Sequence, residues 1–245
     1  APALLIGALT AIGAGWRPAL VVPVAIWLAL VLVMRSEVFP SPVTADEPGH
    51  RWALPGSYWL FWAAFIPAVG AEWSVGAWGA DYLVDVAGTT EGTASLLMSA
   101  FFGAMVLGRL VGGRVARSLS PFPLLLSAAT LGLSGVLLFW GAESLPLVVA
   151  GLFVSGLGIS MLFPMLLSLA IGIAPDHADM AAARVSIAAG GSVIVAPLTL
   201  GALADLVGIR PAFAMVPVLV VFVVVFAALG HRVTRAHGTS SASTL

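Results

Sequence analysis

A chain of 245 residues in which 60% are hydrophobic and only 9% charged cannot be an ordinary water-soluble domain. Its net charge of −1 and its lack of lysine leave no basic stripe for nucleic-acid phosphates. Cysteine is absent, which excludes disulfides and any thiolate metal or redox chemistry.

Apolar runs, read against charges and turn residues, predict a partial span at 1–13 and full spans near 17–34 and 57–80. Further spans are expected near 93–111, 122–141, 145–172, 180–206 and 210–230. Between the second and third spans, residues 35–55 hold Pro40, Pro42, Asp46, Glu47, Pro48 and His50, the composition of a solvated linker. The end of the sequence, 232–245, finishes in Gly-Thr-Ser-Ser-Ala-Ser-Thr-Leu and reads as a disordered tail.

Arginine sets the expected orientation, because cytoplasmic loops retain positive charge during insertion. With the linker inside, alternation of the spans places Arg35, Arg51, Arg109, Arg114, Arg117, Arg184, Arg232 and Arg235 inside and only Arg17 and Arg210 outside. The C-terminus is then expected in the cytoplasm. The use of arginine alone, without lysine, asparagine or glutamine, suggests a GC-rich bacterial source and so a bacterial inner membrane.

One internal repeat is visible. Ala1-Pro2, Gly7-Ala8-Leu9, Arg17-Pro18-Ala19 and Pro23-Val24 return in order as Ala196-Pro197, Gly201-Ala202-Leu203, Arg210-Pro211-Ala212 and Pro217-Val218. Both copies comprise a helix, a short outside turn with one arginine, and a second helix, so they are parallel repeats. The residues that complete the helix before Ala196 have no counterpart before Ala1, so the sequence is expected to open mid-helix, with no cleavable signal peptide.

The turn after the expected 93–111 span runs Gly108-Arg109-Leu110-Val111-Gly112-Gly113-Arg114-Val115-Ala116-Arg117. Together with the repeat and the span count, it resembles the major facilitator superfamily, whose signature turn is Gly-x-Leu-x-Asp-Arg-x-Gly-Arg-Arg. Gly112 and Gly113 stand where that signature has its acid and first base. The resemblance implies an all-α polytopic bundle: a remnant of an N-terminal domain at 1–34, the linker at 35–55, and a six-helix C-terminal domain at 56–231. It also implies that Gly108, Arg109, Gly112, Arg114 and Arg117 form a conformational gating turn. Ordinary positive-inside anchoring is the alternative for Arg114 and Arg117.

A charge within a span costs about 2.5 kcal/mol or more and so needs an explanation. Glu72 lies inside the 57–80 span beyond Pro67 and Gly70, and shares a helical face with Phe65, Gly76 and Gly79. Either it loads and releases a proton or binds solute, or it is a structural carboxyl bonded to a neighbouring helix. Trp73 and Trp78 are candidates to stack on a sugar or organic ring, while Tyr58, Trp59 and Tyr82 near the span ends read as interfacial belt residues. Arg184 is either an attractor of an anionic group or an arginine that snorkels to the surface. Pro164 is expected to break its helix at membrane depth.

No metal-ligand spacing links the four histidines, and no catalytic triad or nucleotide-binding turn is legible, so no cofactor and no enzymatic activity are expected. The resemblance implies alternating-access secondary transport of a small organic solute such as a sugar, drug or metabolite, with a proton as coupling ion. Its expected partners are the solute, the lipid bilayer and the missing N-terminal half of the same transporter. A membrane-embedded binding or regulatory half-transporter without activity of its own is the alternative.

Overall fold

The structure, a computed structural model, describes residues 18–35 and 54–242. The chain divides into two compact units, Ala1–Ala53 and Leu54–Leu245. The first contains α1 (Pro18–Met34), an apolar helix with Pro23 inside it. Most of the first copy of the repeat, residues 1–17, and most of the linker lie outside the described residues.

The second unit is built from α2 (Gly56–Asp85), α3 (Glu91–Val115), α4 (Pro121–Gly141), α5 (Leu145–Ile159), α6 (Leu162–Ile173), α7 (Ala178–Val207), the short α8 (Ile209–Ala212) and α9 (Met215–Ala242). Among the described residues, six helical segments are long and apolar enough to cross a membrane; α5 with α6, and α8 with α9 up to Ala236, each make up one of them. No strand occurs among the described residues. A bilayer offers no water to satisfy backbone groups, and helices satisfy them internally.

Local chemistry marks the ends. Thr90 caps α3 by accepting a hydrogen bond from the Thr93 N–H, and Pro121 opens α4 where no helical donor is needed. Gly208 ends α7 with a φ of 86°, a left-handed conformation that few other residues adopt easily.

The break expected from Pro164 is present at Ser160–Met161, because proline has no N–H and withdraws the bond owed to the carbonyl four residues earlier. The last helix does not give way to a disordered tail at 232. It continues to Ala242 through Arg232, Arg235 and Ala236, all strong helix formers, and Thr234 bonds back to the Gly230 carbonyl.

Packing relies on small residues, as expected where lipid removes the hydrophobic drive between helices. α4 and α5 make the most extensive pair, glycine against backbone at Gly132, Gly135, Gly151 and Gly158. α2 and α7 run parallel and are bonded side chain to backbone along their length. Tyr58 donates to the Ala181 carbonyl (2.8 Å), Trp62 to Arg184 (2.9 Å) and Trp78 to Pro197 (2.8 Å), while Ser192 donates back to Ile66 (2.6 Å). Tyr58 and Tyr82 are fully buried inside the bundle and are not belt residues.

Candidate functional site

An open cavity of about 560 Å³ lies on the second unit. α2 contributes Val69, Glu72 and Trp73, and α3 contributes Arg109 and Gly113. The chain around the α5–α6 break supplies Met161 through Met165 in part, and α7 supplies Ala189 and Val193. Pro164, which interrupts the helix, is itself one of the lining residues.

Glu72 Oε1 and Arg109 Nη2 stand 3.3 Å apart, joining α2 to α3. They are the only ionisable side chains among the lining residues, and the rest of the lining is apolar or aromatic. Glu72 is mostly covered and Arg109 half exposed, so the guanidinium presents free edges to the cavity. Glu72 thus has a partner across the helix pair, although none is legible in the sequence. Arg109 lines the cavity, six residues before the end of α3.

The register of the α2–α3 hairpin accounts for that pairing. Glu72 stands sixteen residues before Gly88, in the α2–α3 connection, and Arg109 stands twenty-one after it. In a helical hairpin the offset of five residues is about 7.5 Å along the axis, within the reach of an arginine side chain.

Of the other expected site residues, Trp73 lines the cavity and is 47% exposed, so its indole face is available. Phe65 is buried just behind the wall, edge-on to Phe163 at 5.2 Å between centroids. Gly76 is one turn beyond Glu72, with the Phe102 ring 3.8 Å from where a side chain would begin. Trp78 is turned away: its N–H is held by Pro197 and its ring lies against Gly201, so it packs α2 on α7 and does not line the cavity. Arg184 is also absent from the lining; its guanidinium sits 5.2 Å over the Trp59 ring, a cation–π contact that holds it on the helix surface.

In the 108–117 segment, Gly108 is pressed onto Leu157 and Ser160 of the broken helix, and Gly112 onto the Met161 side chain. Arg114 donates to its own helix at the Leu110 carbonyl, 3.2 Å away, and Arg117 lies exposed in the turn beyond α3. Among the described residues no group of three or more His, Cys, Asp or Glu side chains could hold a metal ion.

A sequence profile of the Major Facilitator Superfamily matches residues 57–244, most of the chain. The chain belongs to the Major Facilitator Superfamily. As a member of a transporter family it is a multi-pass membrane protein and not an enzyme. It is similar to a glucose/galactose transporter of Brucella abortus, with 30% identity over 226 residues that cover 84% of this chain and 52% of the relative. Its fold matches the crystal structure of the superfamily transporter FucP in the outward conformation, with a TM-score of 0.71 at 20% identity over 87% of this chain and 54% of that one. A second structure, of the E. coli fucose:proton symporter FucP, gives 0.70 at 19% identity over 91% and 58%. The chain spans about half the length of the relatives it matches.

Proposed function

We propose that these helices form one of the two domains of a secondary transporter that carries a sugar-like solute across a bacterial inner membrane by alternating access, coupled to protons at Glu72. The observation that supports this reading is the Glu72–Arg109 pair, set beside an exposed tryptophan in an open cavity of an otherwise apolar bundle. A carboxyl there is costly to keep charged unless its partner stays close, so any movement of α3 against α2 changes how readily it holds a proton. Glucose/galactose transport by one similar protein and fucose:proton symport by another favour a sugar and a proton. The distribution of arginine favours a cytoplasmic C-terminus.

The test uses the full-length gene product in proteoliposomes, with labelled hexose uptake driven by an imposed pH gradient. Glu72→Gln is expected to cut the gradient-driven component by about 5- to 150-fold, the span of ordinary coupling energies, while exchange of hexose at equal pH persists. Unchanged coupling in that variant removes Glu72 from the proton path. The same preparation examines Trp73. Trp73→Ala is expected to raise the hexose KM about two- to tenfold, the loss of one aromatic stacking contact, with a smaller change in the maximal rate.

A further inference from the structure

We infer that Arg109 determines the charge class of the solute: while Glu72 is ionised the two charges cancel, so the site in that state accepts uncharged hydroxylated molecules and rejects both anions and cations. This rests on the transport reading above and adds to it a residue and a rule of selection.

The lining carries one carboxyl and one guanidinium, and every other lining residue is uncharged. A single contact, Glu72 Oε1 to Arg109 Nη2, joins the two among the described residues. Glu72 therefore keeps an oxygen that can accept, and Arg109 keeps N–H groups that can donate. A sugar hydroxyl both donates and accepts, so adjacent hydroxyls can bridge the pair, and the exposed face of Trp73 is left for the apolar face of the ring. Such a solute adds no net charge to the apolar surroundings.

A sugar acid or an amino sugar differs in that respect. Either can pair with only one member, and in doing so it displaces the other from its counter-ion. One unpaired charge is then left in a wall formed by Val69, Phe163, Met165 and Val193, and the penalty falls on the complex. Disturbing the balance should shift the preference in a defined direction. Arg109→Gln leaves a lone carboxyl and favours a cation; Glu72→Gln leaves a lone guanidinium and favours an anion. Exchanging the two, Glu72→Arg with Arg109→Glu, restores neutrality with the partners reversed.

The experiment measures binding of glucose, glucuronate and glucosamine to the full-length gene product in lipid nanodiscs, by tryptophan fluorescence and by competition against labelled hexose. The wild type is expected to prefer glucose over both charged analogues by at least about tenfold, equivalent to ~1.4 kcal/mol. Arg109→Gln is expected to raise glucosamine relative to glucuronate by a similar factor, Glu72→Gln to do the reverse, and the exchanged pair to return to glucose. Size-exclusion profiles establish which variants are folded. A wild type that takes either charged sugar as readily as glucose overturns the inference without any variant. So does an unchanged ranking in the folded variants, which would make the ion pair a simple tie between α2 and α3. Failure of the wild type to bind any of the three sugars overturns the sugar-transport reading itself.

Discussion

Gly158→Val is expected to be severely damaging, with loss of about 3 kcal/mol of stability or more and little folded protein recovered. A Cβ at this position would meet the Gly132 backbone nitrogen, and would lie 2.5 Å from both the Ala128 carbonyl oxygen and Gly132 Cα. These are backbone atoms in the middle of α4, so no rotamer change relieves the clash. The helices must separate, and separation forfeits the dispersion contacts that hold membrane helices together. The measurement is a thermal midpoint with a size-exclusion profile in detergent. Gly172→Ala is the control: nothing lies within 4 Å of its added carbon, and the better helix propensity should leave stability unchanged or about 0.5–1 kcal/mol higher. Equal behaviour of the two variants would show that the α4–α5 contact tolerates separation.

Tyr82→Ala is expected to cost about 3–5 kcal/mol, and Tyr82→Phe no more than about 1 kcal/mol. The ring is fully buried between Phe139 and Phe213, at centroid distances of 4.6 and 4.7 Å, and so ties α2 to α4 and to the turn before α9. Its hydroxyl donates to the Trp140 carbonyl at 2.7 Å, and the Trp140 indole in turn donates to the Arg210 carbonyl at 2.7 Å. Alanine removes the ring and leaves a void among three helices, whereas phenylalanine removes one hydrogen bond and keeps the packing. A similar loss in both variants would assign the stability to the polar chain from Tyr82 to Arg210 and not to the aromatic cluster.

Tyr82 also shows what the sequence can and cannot convey. Long apolar runs declare six crossings because the bilayer fixes a minimum length, and the helices lie close to where hydropathy places them. Hydropathy does not report which way a residue near a span end faces. Tyr58 and Tyr82 resemble interface anchors by position, yet both hydroxyls reach backbone carbonyls of neighbouring helices. Glu72 stands out because a lone carboxyl in an apolar run is costly, but the family signature assigns its partner to a loop. The pairing depends on how α2 and α3 lie against each other, which only the register of the hairpin suggests. Trp78 and Arg184 are plausible by residue type, and each is engaged on the surface of α2 or α7 instead.

The four bonds between α2 and α7 impose a mechanical division on the cavity. They are distributed from Tyr58 to Trp78, so neither helix can slide or roll on the other without breaking several at once. Glu72, Trp73, Ala189 and Val193 are therefore carried on one stiff plank. The opposite side is interrupted at Ser160–Met161, where a freed carbonyl and the flexible side chain of Met161 against Gly112 give the chain a place to bend. A solute in this cavity has one wall that holds its shape and one that can yield.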